Sequence, residues 1–137
     1  MITDPPRPRA DVTIINRSEI STLDPATMSW AQDFRMARLV GEGLVRQDVF
    51  TRDMRALPGV AERWTIEDNG RTLRFFLRAN ARWSDGSPVT AADFIYAWRR
   101  NLLPETGADY LTLFRLIDGG SEFFTFRKEQ LREYRKS

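Results

Sequence analysis

Two rhythms of apolar residues run along the chain, and the switch between them marks its elements. From Trp30 to Glu42 the period is helical: Phe34, Ala37, Val40 and Gly41 share a face with Trp30 one turn earlier, and Gly43 ends the segment. Around Asp68-Asn69-Gly70-Arg71 the period drops to two. Trp64-Thr65-Ile66 and Leu73-Arg74-Phe75-Phe76-Leu77 flank an Asn-Gly pair, the strongest short-range hairpin signal. Leu73, Phe75 and Leu77 then point one way and Arg74 and Arg78 the other, which predicts a half-buried antiparallel hairpin. The β-branched run within Asp11–Arg17 predicts a short buried strand, and Leu44–Val49 a second extended piece. Between them Ser21–Ser29 reads as a loop, with Pro25 stopping any helix.

The most heavily specified stretch is Arg82-Trp83-Ser84-Asp85-Gly86-Ser87-Pro88-Val89-Thr90-Ala91-Ala92-Asp93-Phe94. Asp85-Gly86 is a turn pair in which glycine can take a positive φ. Pro88 keeps the chain extended. Thr90 caps a helix, and Asp93 at the third helical position reaches back to the cap amide. Phe94, Ile95, Trp98 and Leu102 recur at helical spacing beyond it. Trp64, Trp83 and Trp98 each fall on an apolar face and are expected in the core. Leu103–Gly107 reads as a loop, and residues 108–116 as a short helix. Gly119-Gly120 breaks the chain ahead of a charged helix, Ser121–Lys136, carrying Phe123, Phe124, Phe126, Leu131 and Tyr134. Together these elements predict an α+β fold, a small and largely antiparallel sheet with two to four helices. The chain divides into a proline- and arginine-rich segment 1–10, a body 11–118 and a charged helix 119–137.

Composition narrows the function. With 137 residues, 42% hydrophobic and 12% aromatic, the chain suits one globular domain rather than a disordered segment. No apolar run approaches the length of a membrane span, and the start of the chain has no apolar leader core. An export signal is therefore expected either outside these residues or not at all. The chain has neither cysteine nor histidine, which excludes disulfides, thiolate metal sites and histidine-based triads or dyads. Asp85 and Asp93 are explained by a turn and a cap, and Gly119-Gly120 lacks the Lys-Ser/Thr of a phosphate loop, so no enzymatic role is expected. The formal charge is +2, and Lys128 and Lys136 are the only lysines. Cations and anions alternate along the sequence, which argues against a nucleic-acid partner.

Four collinear stretches carry a resemblance. The Trp83–Phe94 run is similar to the WSDGxPVTAxDF signature of the family 5 extracellular solute-binding proteins, the oligopeptide- and dipeptide-binding components of ABC importers. Glu19-Ile20-Ser21-Thr22-Leu23-Asp24-Pro25 resembles the family's E-x-x-x-L-D-P segment, Glu42-Gly43-Leu44 its EGL, and Pro58-Gly59-Val60-Ala61-Glu62-Arg63-Trp64 its PGLAExW. The resemblance implies a fragment of a two-lobed periplasmic-binding-protein-like fold (type II, large peptide-binding subgroup): the first strand of the main lobe plus most of the small extra domain. It implies a peptide ligand, a membrane permease partner, a periplasmic or extracellular location and no metal or organic cofactor. Ligand contacts carry over to Ser18, Glu19, Ile20 and Ser21 in the loop after the first strand, and to Tyr110. At Tyr110 the family's Ser-Pro has become Ala108-Asp109. With the second lobe lying outside these residues, the chain alone is not expected to hold peptide. Its apolar surfaces favour a homo-oligomer, and the rival reading is a stand-alone interaction module without transport function.

Overall fold

The computed structural model describes residues 15–136, so the strand expected over Asp11–Arg17 lies largely outside the described residues. Ile15 and Asn16, at its end, take no part in strand pairing. In order come a 3-10 turn at Pro25–Thr27, α1 (Ala31–Val40), β1 (Val45–Gln47), β2 (Ala56–Pro58), β3 (Ala61–Glu67) and β4 (Thr72–Leu77). Helices α2 (Ala91–Asn101), α3 (Leu111–Phe114) and α4 (Gly120–Tyr134) complete the chain. The strands form two antiparallel hairpins, β1–β2 and β3–β4. The fold is therefore the expected small α+β unit, with its sheet divided into two ribbons.

The β3–β4 register sets Trp64 against Phe75 and Ile66 against Leu73, so these four share one face. On the other face the Arg63 guanidinium lies 3.4 Å over the Phe76 ring. Asn69 (φ 55°) and Gly70 (φ 88°) both adopt left-handed backbone at the tip, the conformation that the Asn-Gly pair tolerates best.

A backbone junction joins the two hairpins. The Leu44 carbonyl accepts the N–H of Gly59 (3.2 Å) and of Ala61 (2.9 Å), and the Gly43 carbonyl accepts that of Val60 (2.9 Å). A Cβ on Gly59 would stand 2.5 Å from the Gly43 oxygen, so only glycine fits. The EGL and PGVAE stretches are thus two halves of one contact. Val60 and Ala61 are buried there, and Ala26, Met28, Ala81 and Leu102 supply the remaining buried apolar residues among those described.

The Arg82–Phe94 run folds as its residues dictate. The Asp85 carboxylate accepts the Ser87 amide at 2.8 Å and hydroxyl at 2.7 Å, and Gly86 takes φ 89°. Trp83 N–H donates to the Ser87 carbonyl, and Val89 N–H to that of Ala81. Asp93 accepts both the amide (2.7 Å) and the hydroxyl (2.9 Å) of Thr90, closing the cap on α2.

Several expectations need correction. Trp83 is 52% exposed, because the tight turn that bonds its backbone leaves the indole outside. Trp64 and Trp98 are half-buried rather than core. On α1, Trp30 and Val40 are exposed, whereas the fully buried residue is Asp33. The helix expected over 108–116 shortens to α3, because Pro104–Thr106 forms its own 3-10 turn and Gly107 leaves it with φ 61°.

Candidate functional site

The loop carrying Ser18 to Ser21 lies along the first turns of α1, which hold it through three side chains. Arg35 Nη1 donates to the Ile15 carbonyl (3.0 Å) and to Asn16 Oδ1 (2.8 Å). Gln32 Nε2 donates to Ser18 Oγ at 2.9 Å. The Asp33 carboxylate accepts the Ser21 amide at 2.9 Å and the Ser21 hydroxyl on its other oxygen. The Ser21 hydroxyl holds the buried Asp33 carboxyl below the usual carboxylate range. Burial works against this, and the amides of Ser21 and Thr22 add to it.

One further anchor follows in the Leu23-Asp24-Pro25 stretch. Arg100 on α2 grips Asp24 with both terminal nitrogens, Nη1 to Oδ1 at 2.6 Å and Nη2 to Oδ2. Asp24 also accepts the Ala26 amide at 3.1 Å, capping the 3-10 turn. The Arg100 hydrogen bond is the main cause of a lowered Asp24 pKa, again opposed by burial. Asp109 N–H donates to the Ala26 carbonyl at 3.2 Å, which ties the approach to Tyr110 to the same stretch.

The five residues expected to face a ligand divide into two roles. Ser18 and Ser21 are held against α1 from behind. Glu19 and Ile20 are exposed, and among the described residues nothing pairs with the backbone N–H or C=O of either. Tyr110 packs its ring on Phe34 of α1, with centroids 5.7 Å apart and planes tilted by 58°, and remains 41% exposed. Loop and tyrosine therefore touch consecutive residues of one helix, Gln32, Asp33 and Phe34. Those anchors escaped sequence reasoning. An acid in the first turn of a helix is ordinary there on electrostatic grounds, and nothing local points to a serine twelve residues earlier.

A groove of 680 Å³ runs elsewhere, between the end of α1 and the β1–β2 hairpin, past Arg38, Glu42, Arg46 and Met54. None of the five expected residues lines it. These residues thus present an anchored loop with an exposed carboxylate at Glu19 and an exposed aromatic ring at Tyr110.

Comparison with known proteins gives a consistent result. Residues 55–131 match the sequence model for bacterial extracellular solute-binding proteins, family 5 (middle region). The chain is 41% identical over 95 residues to the periplasmic oligopeptide-binding protein OppA of Escherichia coli, covering 69% of this chain and 17% of that protein. It is 35% identical over 108 residues to the dipeptide-binding protein DppE of Bacillus subtilis, covering 79% and 19%. Among solved structures, the murein tripeptide-binding protein MppA of Escherichia coli superposes with a TM-score of 0.74 at 35% identity, over 82% of this chain and 22% of that one. Haemophilus influenzae OppA in complex with RPPGFSPFR superposes with a TM-score of 0.70 at 33% identity, over 80% and 21%. The chain thus spans about a fifth of the length of these relatives.

Proposed function

This chain belongs to the bacterial extracellular solute-binding proteins of family 5, and from that membership we propose that it forms one wall of a peptide-capture site in the substrate-binding component of an ABC importer. The observation that carries the reading is the loop at Glu19 and Ile20, fixed from behind by Gln32, Asp33 and Arg35 while its outer backbone groups stay unpaired among the described residues. A segment held from behind in this way, with its outer backbone groups open, can bind an extended peptide by adding it as a strand. Fixing the loop beforehand lowers the ordering cost of binding. Glu19 supplies a carboxylate for a cationic group of the ligand, and Tyr110 an aromatic face. The work is binding rather than catalysis, in a periplasmic or extracellular location, with a membrane permease as the receiving partner. Relatives named as oligopeptide- and dipeptide-binding proteins support the ligand class.

Since the chain covers only part of such a protein, the test grafts residues 15–118 in place of the matching section of Escherichia coli OppA. The chimera is expected to retain peptide binding. Ile20→Pro, which removes one N–H donor, and Tyr110→Ala are each expected to weaken it by up to about tenfold. A folded chimera whose affinity ignores both substitutions would sink the proposal.

A second reading has its own observation. Phe126 and Tyr134 on α4 are 56% and 80% exposed, as an interaction module would require of that helix. Sedimentation of the chain separates the two: a concentration-dependent dimer abolished by Phe126→Ser favours the module, and a monomer at all concentrations removes it.

A further inference from the structure

Charges that alternate in the sequence of α4 separate on its surface. Lys128, Arg132 and Arg135 are spaced i, i+4, i+7 and form one stripe, while Glu129 and Glu133 lie about 100° and 140° further round the helix. Lys136, one residue past the C-cap Arg135, leaves the line of the stripe but also lines the groove described next. This stripe faces the Pro104–Thr106 turn across an open groove of 520 Å³, whose apolar lining comes from Pro104 and Leu131. The single carboxylate in the groove, that of Glu105, is taken by Arg127 Nη2 at 2.8 Å. Four cations thus share a concave surface with one acid, which is already paired with Arg127 and also feels the charge of Arg135.

We propose that this groove between α4 and the Pro104–Thr106 turn is a docking site for an acidic, extended segment of a partner protein. Charge complementarity selects the partner: the groove has excess positive charge that its own residues do not neutralise. Spacing selects the conformation. The three cations of the stripe span about 10.5 Å along the axis, against about 13 Å for three alternate residues of an extended chain, a difference within the reach of long Lys and Arg side chains. Carboxylates at alternate positions therefore meet successive cations, while the intervening residues lie toward Pro104 and Leu131 or toward solvent. A concave groove with an apolar lining fits a peptide segment better than a flat bilayer surface. The site is separate from the Ser18–Ser21 loop, and the proposal stands whether or not that loop binds peptide.

The test is fluorescence anisotropy of a labelled peptide of alternating glutamate and serine, titrated with the full chain. Binding is expected at low salt and should weaken steeply between about 20 mM and 150 mM salt, as the Debye length shrinks. Lys128→Glu with Arg132→Glu is expected to weaken it by about tenfold or more, while Arg52→Glu on the β1–β2 hairpin leaves it unchanged. Circular dichroism checks the fold of the double variant, and should it unfold, Arg132→Gln and Arg135→Gln singly are expected to give smaller losses in the same direction. Binding that survives these substitutions, or an all-serine peptide that binds equally well, overturns the proposal. So does preferential binding to anionic vesicles or single-stranded DNA through the same residues, which would make the groove a site for another class of partner.

Discussion

Residues 15–24 and residues 82–90 are both irregular stretches that lead into helical turns, and they are held in opposite ways. The second closes its bonds almost on itself: Asp85 on Ser87, Asp93 on Thr90, Trp83 on Ser87. The first depends on distant partners, with Ser21 bonded to Asp33 12 residues away, Ile15 to Arg35 20 residues away, and Asp24 to Arg100 76 residues away. Local bonds cost little chain entropy to close, whereas distant ones form only once the helices are packed. The turn is therefore a property of its own residues, and the Ser18–Ser21 loop is a property of the folded domain.

Four measurements would sharpen or break this contrast. The largest effect is expected at the backbone junction between the hairpins. Gly59→Ala forces a Cβ against the Gly43 carbonyl and should cost about 2–3 kcal/mol in urea unfolding; a negligible shift would mean the junction yields freely. Next comes the local cap: Thr90→Ala should cost about 1 kcal/mol, and the loss should be confined to α2 and the preceding turn. Third, Asp33→Ala should leave global stability less affected but speed hydrogen exchange at the Ser21 and Thr22 amides, with Val89 unchanged. Equal acceleration at Val89 would show that loop and turn are not independent.

The smallest effect is expected in acid. The pKa values of Asp24 and Asp33 are lowered in the folded chain from the ordinary 3.8, so their anchoring is complete above that value and is lost as pH falls through the lowered folded values. Asp85 and Asp93 are lowered too, by hydrogen bonds from Ser87 and Thr90 respectively. As pH falls through those lowered values the loop should detach, while the Trp83–Ser87 and Val89–Ala81 backbone bonds keep the turn. Amide chemical shifts followed from pH 6 to pH 2 would reveal detachment of both together, the result that removes the distinction.

The same contrast explains what could be read in advance. The Asn69-Gly70 hairpin, the Asp85-Gly86 turn and the Thr90–Asp93 cap were legible because each depends on residues a few positions apart. β1 was visible as Leu44–Val49, but its partner β2 is three residues ending in Pro58, too short to announce a strand. The loop Ser18–Ser21 and Tyr110 came from resemblance, and their shared contact with α1 became visible only in three dimensions. Asp33 and Arg100 were missed because neither differs, in sequence, from any charged residue on a helix. The stripe on α4 escaped for a related reason: alternation in one dimension becomes segregation when wound at 3.6 residues per turn.

The shared acceptor at Leu44 also has a mechanical consequence. With Gly59 and Ala61 both bonded to one carbonyl, the two hairpins form a single lever, and a load on the Asn69-Gly70 tip is carried into the backbone at Gly43 and Leu44. Among the described residues, the N-terminal loop is fastened to the helices through side chains. Drawn apart by its ends in an optical trap, the chain should yield in two steps, a compliant release of residues 15–24 and then a stiffer rupture at the junction. A single rupture would mean that the side-chain fastening is as strong as the backbone lever it leads to.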